Sequence, residues 1–329
     1  MSSRDELPVT DELAIALRAY VEGAGKPTRK GSRLYTRKAS RPSSWVLVFD
    51  TETTTDAGQS LRFGSYQVRN GESLHEAGIF YAEDGVSGTE LRLLTEYSAS
   101  HNLKLISREE FVDQVLYGIG YDLRATIVGL NLSFDISRIA IRHASARGDM
   151  RGGFSFTLTT DKRKPALQVK HLNQKVSLIR FAAPFKQRNA RSERKRGKHV
   201  PARRGHFVDV RTVAGALFSR SFSLDALCKF LRVENVKLEV EEHGVALTST
   251  YVDYAVRDAQ ATWECYLELS RRFERLGLSD TPLPMAYSEA SIGKGYLRTI
   301  GIAPAHSTAS GHPFHEHPAG RSMNIQPPS

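Results

Sequence analysis

Cysteine is scarce in this chain, with only Cys228 and Cys265 among 329 residues. Two cysteines cannot build a disulfide framework or a cysteine-based zinc site. Both lie in amphipathic helical patterns, so we expect them to be buried thiols. No apolar run approaches the roughly 20 residues that cross a bilayer, and the charged N-terminus does not have the pattern of a signal peptide. These absences favour a soluble cytoplasmic protein with no membrane partner.

Acidic residues are almost absent from two segments that are rich in lysine and arginine. Residues 26–41 carry seven Lys and Arg residues and no acid, and residues 186–206 carry nine against Glu193 alone. The whole chain has a formal net charge of +10. Basic segments on a mildly acidic body indicate contact with a polyanion such as nucleic acid. Two solvated loops would explain the same charge equally well.

The most informative stretch runs from Trp45 to Thr55, an apolar run that ends in Asp50 and Glu52. Because side chains in a strand alternate between its two faces, both carboxylates project from one face. Five consecutive apolar residues before them predict a central strand that is covered on both sides. Two neighbouring carboxylates in such a place repel each other, and a divalent cation would relieve that repulsion. A solvated turn is the simpler alternative unless further carboxylates join them.

The order of the other elements predicts an α/β fold, a mixed sheet flanked by helices. Strands at 61–68 and 77–81 form a three-stranded meander with the first strand. The remaining predicted elements are strands at 126–130, 154–159, 166–172, 176–181 and 207–210 and helices at 90–103, 107–116, 136–143, 224–231 and 249–276.

We expect four regions along the chain. They are an N-terminal helix and basic linker at 1–44, the main domain at 45–277 with a β-rich basic insertion at 151–206, a helical segment at 278–302 and a disordered tail at 303–329. The tail is rich in proline, glycine, serine and histidine and lacks a periodic apolar pattern.

Two further carboxylates fall on suitable elements. Asp135 follows a predicted strand and lies in the first turn of a helix that we expect Ser133 to cap. Asp258 lies on the long helix, four residues after Tyr254 and therefore on the same face. Taken singly, Asp135 could complement a helix dipole, and Asp258 could pair with Arg257. Four carboxylates in this order form a much stronger signal than any one of them.

Three motifs in the sequence resemble those of a known enzyme family. FDTET at 49–53, NLSFD at 131–135 and YAVRD at 254–258 are similar to the three motifs of DEDD-type 3′-5′ exonucleases, in the tyrosine-containing subclass. The chain most resembles the proofreading exonuclease domain of family B DNA polymerases, and the segments 207–231 and 288–302 add to the likeness. The resemblance covers roughly residues 45–302 and implies a ribonuclease H-like fold.

The resemblance also implies the chemistry. Its metal ligands would be Asp50, Glu52, Asp135 and Asp258, which would hold two Mg²⁺ or Mn²⁺ ions around a scissile phosphate. Tyr254 would orient the attacking water. The products would be nucleoside 5′-monophosphates.

The expected substrate is single-stranded DNA or a frayed DNA 3′ end. Near the carboxylates we expect Thr51, Asn131 and Phe134 to contact it, with Phe134 stacking on terminal bases unless it packs in the core. In the basic insertion we expect Arg194, Lys195 and Arg196 to hold the phosphate backbone.

Other interpretations of function stay open. After Glu289 the only acidic residue is Glu316, so we expect no polymerase activity from these residues, although a polymerase or another replication protein could be a partner. A binding module without turnover and an RNA 3′-end trimming exonuclease are the alternatives. The sequence does not decide among a free-standing nuclease, a fragment and a remnant.

Overall fold

The computed structural model describes residues 42–173, 176–182, 205–234, 247–278 and 281–300. The predicted N-terminal helix, the basic segment at 26–41, most of the basic segment at 186–206 and the predicted tail lie outside these residues. Arg194, Lys195 and Arg196 are therefore outside them too. Among the described helices, none is long and apolar enough to cross a membrane.

The described strands and helices alternate along much of the chain. The strands are β1 (Trp45–Thr53), β2 (Leu61–Asn70), β3 (Ser73–Tyr81), β4 (Lys104–Ser107), β5 (Thr126–Gly129), β6 (Arg142–Ser145), β7 (Phe154–Thr157), β8 (Leu167–His171), β9 (Ser177–Phe181) and β10 (His206–Asp209). The helices are α1 (Gly88–Ser100), α2 (one α turn at Arg108–Glu110 that continues as a π-helix at Phe111–Asp122), α3 (Leu132–Arg138), α4 (Val210–Phe218), α5 (Leu224–Leu231), α6 (Ser249–Glu274) and α7 (Glu289–Thr299). Short 3₁₀ turns lie at Gly148–Met150 and Leu283–Met285.

The main sheet has six strands in the order β10-β5-β1-β2-β3-β4. The strands β1, β2 and β3 are antiparallel neighbours, so the predicted meander is confirmed. The strand β5 runs parallel to both β1 and β10, and β4 runs parallel to β3. The prediction of an α/β protein with a mixed sheet flanked by helices is therefore confirmed.

Both faces of β1 are covered, as its apolar run predicts. Leu47 and Phe49 belong to a core that includes Phe111 of α2, with the Phe49 and Phe111 ring centroids 5.5 Å apart. Val48, on the other face, packs in the core that α4, α5 and α6 cover. Full burial of each such side chain contributes about 1.5–3 kcal/mol, so this double cover fixes β1 firmly.

The strands β6 to β9 form a second, four-stranded antiparallel sheet, which we call the accessory sheet. Leu167 and Val169 turn one of its faces into the core beside α2, and the Phe181 ring lies 5.2 Å from that of Phe207 on β10. The three strands predicted at 154–181 are confirmed. The sheet also contains β6, which begins before residue 151.

Some predicted elements have wrong ends, and some elements of the structure were not predicted. The helix predicted at 136–143 ends at Arg138, because Arg142 pairs with Thr157 in the accessory sheet. The strand β4 was missed, and so was α4, which follows β10 with no intervening loop.

The last helices agree better with the sequence. The helix α5 has the predicted bounds and cap, with the Ser223 side chain accepting a hydrogen bond from the Ala226 amide. The long helix α6 was predicted two residues too long at its C-terminal end. Cys228 and Cys265 are fully buried thiols between these helices, with sulfur atoms 3.6 Å apart, as expected.

Gly64 on β2 is a close-approach position beside the end of β1. A Cβ atom there would overlap the Asp50 carbonyl oxygen and the Phe80 ring. We expect Gly64→Ala to lower the free energy of unfolding by about 1–3 kcal/mol, the usual cost of overpacking. Urea unfolding would measure it. Gly88→Ala is the matched control, because a Cβ at Gly88 meets no atom within 4 Å. An equal effect of both substitutions would contradict the close-approach explanation.

Candidate active site

The strand β1 carries the first two carboxylates on the face that α6 covers. Asp50 pairs with Ser65 of β2 and Glu52 with Phe63. The Ser65 hydroxyl donates a 2.7 Å hydrogen bond to the Ala255 carbonyl of α6, and the Phe63 ring meets Tyr251 edge-on at 5.6 Å. These contacts hold α6 over the carboxyl end of β1.

The helix α6 supplies three side chains to the same place. Tyr251, Tyr254 and Asp258 are spaced at i, i+3 and i+7, so they share one face, and each is 4–5% exposed. The Tyr251 hydroxyl donates a 2.5 Å hydrogen bond to Glu52. Arg257, the surface base considered for Asp258, is half-exposed and pairs with Asp253 at 2.8 Å. Asp258 therefore does not form the surface ion pair with Arg257 that the sequence also allowed.

The helix α3 brings Asp135 to the same edge of the sheet. Asp135 lies in the first turn, as predicted, and is 2% exposed. Its Oδ1 accepts a 2.7 Å hydrogen bond from the Thr51 hydroxyl, while its buried Oδ2 accepts none from the described residues. The prediction that Ser133 caps this helix is wrong, because Asn131 occupies the N-cap position and Ser133 lies inside the helix.

The sequence interpretation missed Asp209, which links two helix starts. It ends β10, and its Oδ1 accepts a 2.8 Å hydrogen bond from the Thr212 amide at the start of α4. Its Oδ2 accepts a 2.9 Å hydrogen bond from the Leu132 amide at the start of α3. Burial raises the pKa of Asp209 to about 6. An aspartate between a strand and a helix, as in FVDVRT, was the signal that could have identified it.

The four predicted carboxylates lie close enough to influence one another. Burial raises the pKa of Asp50 well above its ordinary value, and the charges of Asp135, Glu52 and Asp258 raise it further, in that order. Burial also raises the pKa of Asp135 to about 8, although the Thr51 hydrogen bond opposes that shift. Asp50 thus feels each of the other three charges.

Three hydroxyl groups contact these carboxylates. The Thr51 hydroxyl donates a hydrogen bond to Asp135, and the Tyr251 hydroxyl donates one to Glu52. Burial raises the pKa of Tyr254 far above neutrality, and the charge of Asp258 and a hydrogen bond to it raise the pKa further. Tyr254 therefore stays protonated at neutral pH and acts as a hydrogen-bond donor.

This donor set suits a hard divalent cation. Carboxylate oxygens are the ligands that Mg²⁺ and Mn²⁺ prefer, and the free Oδ2 of buried Asp135 is a position where a cation would replace a missing hydrogen bond. In the described residues, no group of three or more His, Cys, Asp or Glu side chains has the arrangement of a metal site. The Thr51 and Tyr251 hydroxyl groups fix the orientation of Asp135 and Glu52, and the Asp135 Oδ2 atom stays open to a cation.

A cleft of about 270 Å³, the carboxylate cleft, opens beside Glu52. Its lining residues are Thr51, Glu52, Thr53, Thr54, Thr55, Gln59 and Tyr251. Of the other residues expected to bind substrate, Asn131 is exposed, and Phe134 is half-buried with the Arg138 guanidinium 4.8 Å from its ring centroid. Phe134 is thus not a core residue, and the substrate contacts of Thr51, Asn131 and Phe134 stay predictions.

No protein-family model matches the sequence, and no curated protein matches it either. The interpretation of the site therefore rests on the residues themselves.

Ionisation of Asp135 makes stability depend on pH. In the unfolded chain its pKa is near 3.9, so between about pH 4 and pH 8 the folded protein binds more protons and the free energy of unfolding falls as pH rises. The Asp135→Asn side chain cannot ionise, but its amide oxygen can still accept the hydrogen bond that the Thr51 hydroxyl donates. We expect the stability of this variant relative to wild type to increase steadily across this range in EDTA, as measured by urea unfolding.

Thr51→Ser is the matched control for this measurement, since it keeps the hydroxyl group that donates to Asp135. Its pH profile should follow that of wild type. Parallel profiles for wild type and Asp135→Asn would contradict the raised pKa.

Proposed function

We propose that the protein is a metal-dependent 3′-5′ exonuclease with a ribonuclease H-like fold, acting on single-stranded or frayed DNA 3′ ends. The observation that carries this proposal is the convergence of Glu52, Asp135 and Asp258 on Asp50, which brings together four carboxylates from three separate elements. Mutual repulsion of this kind is costly for a fold, which supports a functional reason for keeping it. The motifs FDTET, NLSFD and YAVRD and the mixed sheet with flanking helices support the same proposal.

In this proposal Asp50, Glu52, Asp135 and Asp258 hold two Mg²⁺ or Mn²⁺ ions. When bound, such ions lower the pKa of water and stabilise the charge of a leaving 3′ oxygen. The chain's part is to supply the carboxylates from a rigid edge. The strand β1 is packed on both faces, and the Ser65 to Ala255 hydrogen bond fixes α6 against the sheet.

The two tyrosines of α6 have different roles in this proposal. The protonated hydroxyl of Tyr254 orients the attacking water, because a group with so high a pKa donates a hydrogen bond but does not remove a proton. The Tyr251 hydroxyl orients Glu52. Tyr251 is therefore a positioning residue that the sequence interpretation missed, one turn before Tyr254.

The carboxylate cleft would receive the last nucleotide of an unpaired 3′ end. Phe134 and Arg138, stacked on each other at half-exposed positions of α3, are suited to contact a base and a phosphate next to it. Arg138 also donates hydrogen bonds to the Gly58 and Gln59 carbonyls, at 3.1 and 2.8 Å. The loop before β2 is thereby tied to the helix that carries Asp135.

One observation favours a second candidate, a single-strand binding module without turnover. The hydroxyl bonds to Glu52 and Asp135 already satisfy part of the charge that a cation would neutralise. A Mg²⁺ titration of nucleotide release from matched 3′-labelled DNA and RNA separates the candidates. The exonuclease releases 5′-mononucleotides from DNA in proportion to bound metal. Binding without release supports the binding module, and preferred release from RNA supports an RNA-trimming enzyme.

The carboxylates can be tested directly. We expect Asp50→Asn and Asp258→Asn each to abolish metal-dependent release of mononucleotides, because each removes a charged ligand. Their thermal midpoints in EDTA should equal or exceed that of wild type, since each change relieves repulsion at the site. Wild-type turnover in either variant would contradict the assigned site.

Tyr254→Phe and Tyr251→Phe form a matched pair, because each deletes one hydroxyl group from the same face of α6. Tyr254→Phe should lower kcat by roughly 10²- to 10⁴-fold with little change in KM. Tyr251→Phe should instead weaken Mn²⁺ binding by roughly 10- to 100-fold, the usual effect of losing a group that orients a metal ligand. Titration followed by electron paramagnetic resonance measures the Mn²⁺ affinity. Identical effects of the two variants would contradict the division of roles.

A further inference from the structure

The accessory sheet and the body that carries the carboxylates have opposite charges. The described residues outside the accessory sheet, 42–141, 205–234, 247–278 and 281–300, contain 17 Lys and Arg residues against 23 Asp and Glu residues. Residues 142–173 and 176–182 contain eight Lys and Arg residues against only two acids, Asp149 and Asp161. A polyanion is therefore repelled by the body and attracted to the accessory sheet.

Several bases of the accessory sheet are available to such a ligand. Arg180 pairs with Asp149 at 2.7 Å, and Arg163 pairs with Asp161 at 2.9 Å. Arg142, Arg151 and Lys170 form no ion pair within the described residues, and the two arginines are exposed.

Exposed rings lie on one face of this sheet, and the pairing of Phe154 with Val169 and of Arg142 with Thr157 places Arg142 and Lys170 on its other face. The Phe154 side chain on β7 is 48% exposed. Its ring centroid lies 6.3 Å from that of exposed His143 on β6 and 6.0 Å from that of Phe156. Arg151, which is also exposed, lies three residues before Phe154. Exposed rings beside basic side chains are the usual platform for single-stranded nucleic acid.

Two clefts with a shared lining residue lie between the carboxylates and the start of β6. Gln59 lines both the carboxylate cleft and a larger cleft of about 650 Å³. The larger cleft contains Arg108 and Arg138 and reaches Ile141, the residue before β6, while its other wall carries Glu83, Asp84 and Glu109. The chain from Asp135 to His143 spans at most roughly 22 Å, given helical rise to Arg138 and full extension beyond it.

We propose that single-stranded DNA whose 3′ end lies at the carboxylates continues through the larger cleft onto β6 and β7. There the rings of Phe154 and His143 stack on bases, and Arg151 contacts a phosphate. This inference rests on the proposed function for the direction of the strand, but binding itself can be measured without turnover.

The test is binding of a fluorescein-labelled oligothymidylate in EDTA, followed by fluorescence anisotropy. We expect Phe154→Ala to weaken binding by about 5- to 150-fold, as for loss of one base–aromatic stack. Phe154→Leu keeps the bulk and should weaken binding similarly, which separates loss of the ring from misfolding. Tyr296→Ala is the matched control, because Tyr296 is a 56% exposed aromatic residue on α7, and it should bind as wild type.

Inorganic polyphosphate supplies charge without bases. Phe154→Ala should leave its binding unchanged, whereas Arg151→Ala should weaken binding of both polyanions. For oligothymidylate, Arg151→Ala should reduce the slope of log affinity against log salt by roughly 0.7, the value for one phosphate contact on a single strand. If Phe154→Ala weakened binding of both polyanions equally, the stacking role would be overturned, and an unchanged slope in Arg151→Ala would overturn the phosphate contact.

Unchanged oligothymidylate binding in both Phe154 variants would overturn the inference even if the nuclease is active. If these variants showed the expected weakening of oligothymidylate binding but the wild-type protein released no nucleotides, only the proposed function would be overturned. For an active enzyme, Phe154→Ala should raise KM for a long single strand and leave hydrolysis of a dinucleotide unchanged. An equal effect on both substrates would place Phe154 in the hydrolytic site and contradict the inference.

Discussion

Repulsion among carboxylates at the end of β1 is the constraint on which the rest of the structure depends. Asp50 feels the charges of Asp135, Glu52 and Asp258, and each comes from an element that is fixed independently. The strand β1 has apolar cover on both faces, α6 is tied to β2 through Ser65, and Asp209 joins the starts of α3 and α4. Without such anchors the carboxylates would move apart, because separation lowers their electrostatic free energy.

Hydroxyl groups make this arrangement tolerable without a cation. Thr51 and Tyr251 each donate to one carboxylate, and a donated hydrogen bond favours the charged form. Burial acts in the opposite direction and dominates at Asp135, whose pKa rises despite the Thr51 bond. Asp50 and Asp135 therefore hold protons more tightly than ordinary carboxyl groups, and a cation that binds them must displace those protons.

The parts of this arrangement that the sequence could predict are those that one element encodes alone. The strand β1, the cap of α5 and the face shared by Tyr254 and Asp258 follow from local periodicity. The roles of Tyr251 and Asp209 depend on partners about 200 and 77 residues away, which no local pattern contains. The end of α3 was mispredicted for the same reason, since pairing with β7 decides where the helix stops.

The distribution of charge gives a physical argument about how an anionic ligand could reach this site. A body with 23 acids against 17 bases among its described residues repels phosphate groups. Bound cations would reverse the sign only locally, because salt screens their field within about 8 Å. A strand therefore needs positive charge farther along its length, and the accessory sheet supplies it beside the end of α3. The acidic body thus repels a polyanion, and the basic accessory sheet supplies the attraction that offsets this repulsion.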